Sequence, residues 1–250
     1  MVEFAPGVTP AIGWTVLAVG AMLFGLTKTG IPGISILAVV LMASVMDPKQ
    51  SVGLVLPLLI TGDIFTVIYY RRHAVWRHLL RLMPSALVGI GIGFALLGQL
   101  EGADLGPIVG GIVLLLLAVE LGRSLRQSER IPSHWSVAAG IGLLAGITTM
   151  FANAAGPLLV IYFTAMRFDK HKFIGTAAWY FLTLNCIKVP LFWHHDMITA
   201  ESLRTDLCLV PAVLTGAVLG VVVLKRIPQR AFVVVVKVLA AAGATKLIVW

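Results

Sequence analysis

The chain has 250 residues, of which 59% are hydrophobic and only 12% charged, and its mean hydropathy is +0.98. Soluble domains carry roughly 25% charged residues, so the composition excludes a soluble globular protein and leaves little chain for a soluble domain beside a membrane one. The formal charge of +8 does not mark a nucleic-acid binder, because the basic residues sit in short loops between apolar runs, which is a topology signal.

The N-terminal Met1-Val-Glu-Phe-Ala-Pro has no basic n-region and is not read as a cleaved signal peptide. Apolar runs follow at 11–26, 33–46, 52–70, 82–100, 107–122, 135–149, 155–166, 175–193, 207–224 and 231–250. Most approach the length needed to cross a ~30 Å hydrocarbon core as a helix. The four runs of 12–16 residues flanking two polar, glycine-rich breaks do not. Those breaks are Phe24-Gly-Leu-Thr-Lys-Thr-Gly-Ile-Pro-Gly33 and Thr148-Thr-Met-Phe-Ala-Asn-Ala-Ala-Gly-Pro157. Each short pair is either one broken span or a re-entrant hairpin.

Loop charge separates the two. With hairpins, one side of the membrane receives Arg71, Arg72, Arg77, Arg81, Arg123, Arg126, Arg130, Arg167, Lys170, Lys172, Lys225, Arg226 and Arg230. The other receives only Lys49 and Arg204, among several acids. With broken spans the basic residues divide almost evenly. The positive-inside rule therefore predicts two hairpins and places both termini outside.

The halves also resemble one another. Gly53, Thr61, Asp63 and His73 match Gly175, Thr183, Asn185 and His195 at a constant offset of 122, and Pro84, Gly89 and Gly93 match Pro211, Gly216 and Gly220 at 127. Pro32 matches Pro157 at 125. The expected fold is all-α: a first repeat over 1–130 (hairpin 11–46, helices 52–70, 82–100 and 107–122) and a second over 131–250 (hairpin 135–166, helices 175–193, 207–224 and 231–250). Three crossings per half leave the second repeat inverted, an arrangement used by secondary transporters with discontinuous helices.

The first break carries Thr27, Lys28, Thr29 and Gly30 before Pro32 and Gly33. Proline suits the first turn of a helix, so free N–H groups of the outgoing leg and a buried ammonium would face the break and favour an anion. A lysine deep in a membrane segment is costly and marks function. The bland reading is that it snorkels while the glycines permit a turn. The second break offers Thr148, Thr149 and Asn153 as neutral donors and Gly156 for close backbone approach. They also suit a second role, repairing a broken helix in lipid.

Asp63 lies mid-helix, with Asn185 as its repeat mate. It is either a proton-coupling carboxylate or a fixed counter-ion to Lys28 or Lys188. Lys188 follows Asn185 by three residues and shares its helix face. Trp179 is a candidate for the pathway lining; most other tryptophans lie near segment ends, as aromatic belts do. Cys186 and Cys208 read as small packing residues, and His194-His195-Asp196 lacks the second ligand cluster a metal would need. No phosphate loop, nucleophile elbow or catalytic carboxylate pair is present, so neither an enzyme nor a cofactor is expected.

Gly25-Leu-Thr-Lys-Thr-Gly-Ile-Pro-Gly33, Gly146-Ile-Thr-Thr-Met-Phe-Ala-Asn-Ala-Ala-Gly-Pro157, Gly175-Thr-Ala-Ala-Trp179 and Asn185-Cys-Ile-Lys-Val-Pro190 together resemble the sulfite exporter TauE/SafE family of bacterial membrane permeases. Lys-Thr-Gly stands here where Lys-Gly-Gly is common, which adds a hydroxyl at Thr29. The resemblance implies transport of a small anion across the inner membrane: sulfite, a sulfonate such as sulfoacetate, or a small carboxylate. A secondary transporter is expected, with one repeat rocking against the other and H+ or Na+ as a candidate coupling ion. A passive anion channel using the same residues is the alternative.

Overall fold

The computed structural model describes residues 4–31, 35–97, 135–153, 155–228, 230–232, 234–235 and 238. The expected helices at 107–122 and 231–250, together with Pro32 and Gly33, lie outside the described residues or largely so. Eight α-helices run through the described chain: α1 Pro10–Thr29, α2 Ser35–Ala43, α3 Pro48–Tyr70, α4 Trp76–Leu97, α5 Trp135–Ala152, α6 Gly156–Ala165, α7 Lys170–His194 and α8 Ala200–Arg226. A 3₁₀ turn at Arg71–His73 joins α3 to α4.

Side-chain caps set several starts. Thr9 accepts from Ile12 N, Asp47 from Gln50 N, and Asp169 from the amides of His171 and Lys172. Thr199 and Ser202 form a reciprocal capping box at α8. The Asp169 cap also sets the charge of its own carboxyl. Burial opposes its charge, but the backbone N–H and ammonium of Lys172 outweigh that and hold the carboxyl below its ordinary range.

Two expected boundaries move. The leg drawn at 11–26 continues through Lys28 to Thr29, so α1 has 20 residues, and α5 continues through Thr148 and Thr149 to Ala152. The breaks are thus narrower than the glycine and threonine content suggests, because packing overrides the weak local propensity of those residues. The entering legs are long and the leaving legs short, with 9 residues in α2 and 10 in α6. Helices α1, α3, α4 and α8 are each long and apolar enough to cross a membrane. Helix α7 is long enough, with 25 residues, but more polar.

Each short helix folds back on its predecessor. Ala5 N donates to Val45 O at 2.9 Å, so the chain leaving α2 is beside the chain entering α1. In the second half, Tyr162 of α6 reaches His78 of α4 (2.8 Å, hydroxyl to Nδ1), near the end where α5 begins.

Close packing joins α1 to α8 and α4 to α5, and the two contacts are matched. A Cβ at Gly25 would strike Val213 O, and one at Gly216 would strike Met22 O. Likewise a Cβ at Gly146 would strike Ala86 O, and one at Gly89 would strike Leu143 O. Val213 and Gly216 stand to Ala86 and Gly89 at the repeat offset of 127. In both pairs contacts advance together along the two chains, so the helices run parallel. Each entering leg is therefore packed on a helix of the other half of the sequence.

The apolar interior falls into two clusters. One gathers α1, α2, part of α3 and the middle of α8 around Leu17, Phe24, Met42, Leu58 and Val213. The larger one gathers α4, α5, α6 and α7 around Leu82, Ala145, Phe163, Tyr180 and Phe192. Cys186 and Cys208 are free and exposed rather than packed, a correction to the sequence reading: each lies on the outward face of its helix, where apolar side chains also face out.

Candidate functional site

Most of the buried charge lies at the seam between these clusters. Lys28 projects from the last turn of α1, and its Nζ lies 2.7 Å from Asp63 Oδ1 on α3. Asp63 is fully buried, and the Lys28 side chain is 8% exposed. The other carboxylate oxygen, Oδ2, accepts from Asn185 Nδ2 of α7 at 2.8 Å. The two repeat mates thus bond directly to each other. Above the Lys28 ammonium stands the ring of Phe181, 4.4 Å to its centroid, a cation–π contact.

Lys188, one turn beyond Asn185, is also fully buried, and the partners its ammonium finds among the described residues are neutral. Its Nζ donates to Thr149 O (3.0 Å), Thr149 Oγ1 (3.1 Å) and Asn153 Oδ1 (2.5 Å). An ammonium has three N–H donors, so these acceptors use all of them. Asn153 follows the last residue of α5 with φ +52°, in the left-handed region that asparagine tolerates. Its Nδ2 donates to Val52 O near the start of α3 at 3.2 Å. At the other end of α3, the Tyr70 hydroxyl donates to Thr29 O at 3.4 Å. The two break regions therefore contact opposite ends of one helix.

A cavity of ≈ 600 Å³, open solvent at its mouth included, runs along this seam. Its polar lining is Thr27, Lys28, Asp63, Thr149, Asn153 and Asn185, joined by Ser35 and Gly156 at the starts of α2 and α6. A Cβ at Gly156 would lie 3.8 Å from Ser35 Oγ, so the two helix starts adjoin. The first turn of a helix leaves its N–H groups without intrahelical partners and carries the positive end of the dipole. Thr27 Oγ1 is buried with no hydrogen-bond partner among the described residues. Leu59, Leu159, Phe173, Ile174 and Phe181 form apolar walls.

Of the residues singled out from sequence, Thr27, Lys28, Asp63, Thr149, Asn153, Gly156 and Asn185 reach the cavity. Others do not. Thr29 turns its hydroxyl to Ala217 O at 2.6 Å, tying α1 to α8. Thr148 bonds back to Leu144 O at 2.9 Å, and Gly30 packs against Gly220. Lys188 braces the wall from behind, and Gly33 lies outside the described residues. Trp179 stacks obliquely on Trp76 at 5.3 Å, away from the cavity lining. Sequence reasoning missed Ser35, Phe173 and Phe181. Phe181 had a signal, since it precedes Asn185 by four and so shares its helix face.

A helical protein with several membrane-spanning-length helices and a buried, anion-compatible cavity is a multi-pass membrane protein of the permease class. The family model for the sulfite exporter TauE/SafE matches residues 14–247, and the chain belongs to that family of membrane permeases for small anions. Searches of curated proteins and of solved structures found no match.

Proposed function

We propose that the protein is a secondary transporter for a small anion, taken from sulfite, organosulfonates such as sulfoacetate, and small carboxylates. One observation carries this reading: two helix starts, the Lys28 ammonium and the Thr27 hydroxyl, unpartnered among the described residues, border one cavity. Such donors stabilise an anion without dedicating a protein charge to each oxygen. The apolar walls suit a short carbon chain beside the charged group.

The helical fold-backs and the matched glycine contacts support two inverted repeats, each with a re-entrant hairpin. They also favour a particular division for alternating access. Because α1 is packed on α8, and α5 on α4, the moving bodies are these crossed pairs with their apolar clusters rather than the two halves of the sequence. The seam between the clusters then opens alternately to either side. In the inner membrane the basic 167–172 loop faces the cytoplasm and both termini face outward. Labelling of Lys172→Cys in a chain with Cys186 and Cys208 replaced by alanine checks this; reaction with an impermeant reagent from outside contradicts the inverted arrangement.

Function is tested by uptake of labelled sulfite, sulfoacetate and acetate into proteoliposomes. Accumulation above the outside concentration under an imposed ion gradient is expected for at least one of them. Equilibration without accumulation would make the protein a passive anion channel, and no protein-dependent flux of any of the three would contradict the proposal.

A further inference from the structure

We infer that the cavity binds its anion together with a proton, and that the proton is held by Asp63. The inference rests on the anion-transport reading and adds the coupling ion. In the structure described here Lys28 is not free: its ammonium lies 2.7 Å from Asp63 Oδ1. An ammonium has three N–H donors, so an anion can join Asp63 at Lys28 or displace it. Either way one lysine faces two negative charges, and the uncompensated one is strongly unfavourable in a low-dielectric site. Protonation of Asp63 removes it.

The surroundings allow that exchange. From α1 the group facing Asp63 is Lys28; from α7 it faces Asn185, Lys188 and, more remotely, the exposed thiol of Cys186. Helix α2 carries no titratable group, and on α8 the charged residues are confined to Glu201, Arg204 and Asp206 at one end and Lys225 and Arg226 at the other. Lys188 is no substitute for Lys28, because its three donors are engaged by Thr149 and Asn153. Asn185 now donates to Asp63 Oδ2. Rotating its amide presents the oxygen instead, which accepts from the protonated acid.

The balance is simple. The Lys28–Asp63 ion pair plus one anion and one proton gives a Lys28–anion pair plus a neutral Asp63 carboxylic acid. No bond other than the O–H bond is made, and the charge of the site is unchanged. Anion and proton therefore cross together and electroneutrally, unlike an anion passing through a channel. By linkage, affinity weakens about tenfold per pH unit where the unliganded site keeps Asp63 ionised.

The test is titration calorimetry of the purified full chain with ethanesulfonate, which stays ionised throughout. It is run in Tris and in triethanolamine, cationic buffers of different ionisation enthalpy, and repeated with Asp63→Asn. Uptake of close to one proton per anion by the wild type is expected. Asp63→Asn is expected to bind more tightly and without proton uptake, since the competing carboxylate is gone. Wild-type binding without proton uptake overturns the proposal while leaving the anion site standing, and needs no variant to fold. Proton uptake that persists in Asp63→Asn overturns the assignment to Asp63. If ethanesulfonate, sulfite, sulfoacetate and acetate all fail to bind, the anion-transport reading falls and this inference with it.

Discussion

Two lysines are buried among the described residues, and the protein treats them oppositely. Lys28 faces the cavity, with a carboxylate at 2.7 Å as its charged partner. Lys188 is withdrawn behind the wall and held by a carbonyl, a hydroxyl and an amide oxygen, all neutral. The repeat spacing sharpens the contrast: the carboxylate at Asp63 becomes the amide at Asn185, and the latter bonds to the former. A charged partner can be exchanged for a substrate, whereas three satisfied neutral acceptors give a substrate nothing to displace. On this account Lys28 binds and Lys188 braces.

The contrast breaks most visibly at Asp63. Asp63→Ala leaves the Lys28 ammonium buried without its counter-ion and is expected to destabilise the protein by about 3–5 kcal/mol, read as a lowered Tm in thermal unfolding. Combining Lys28→Met with Asp63→Asn removes both charges and is expected to restore most of that stability. A double variant no more stable than Asp63→Ala would show that the pair serves the fold beyond charge compensation.

Lys188→Met comes next. It strips the donors from Thr149 O, Thr149 Oγ1 and Asn153 Oδ1, and one unsatisfied buried group costs about 1–3 kcal/mol. A lowered Tm with anion affinity changed less than about fivefold is expected; loss of binding at unchanged Tm would make Lys188 a ligand. The crossed helix pairs offer a comparison of similar size. Gly216→Ala and Gly89→Ala each push a methyl group onto a carbonyl of the partner helix, and overpacking costs about 1–3 kcal/mol. The two variants should lower Tm by similar amounts, and a large disparity would count against the matched arrangement.

The smallest effect is expected outside the membrane core. Asp169→Ala removes the cap of α7 at a cost of about 0.5–2 kcal/mol. The Asp169 carboxyl lies below its ordinary range in the folded chain, so its contribution is present above the unfolded pKa and fades as pH falls through the folded one. The Tm difference between variant and wild type should therefore shrink in acid.

Much of this was legible in the sequence because charge is rare in the apolar runs. Lys28, Asp63, Asn185 and Lys188 stood out as intramembrane polar residues, and the 122-residue spacing already linked Asp63 to Asn185. Which lysine met the carboxylate was not legible, since both lie within reach of mid-helix and no periodicity ranks them. The role of Thr29 was misjudged for a related reason: a hydroxyl beside a break reads as a ligand donor until the partner helix supplies the Ala217 carbonyl that takes it. Phe173 and Ser35 were hidden among ordinary apolar and helix-start residues. The crossing of the two halves depends on glycine contacts between segments 188 or more residues apart in one case, which local pattern does not encode.

The most direct test of the account is thermal-shift titration of the wild type and of the Lys28→Met/Asp63→Asn double variant with sulfite, sulfoacetate and acetate. The account predicts that at least one anion raises the wild-type Tm and that the double variant, folded and of comparable basal Tm, loses the response. A double variant that is stabilised as strongly as the wild type would contradict it, because the anion would then bind away from Lys28.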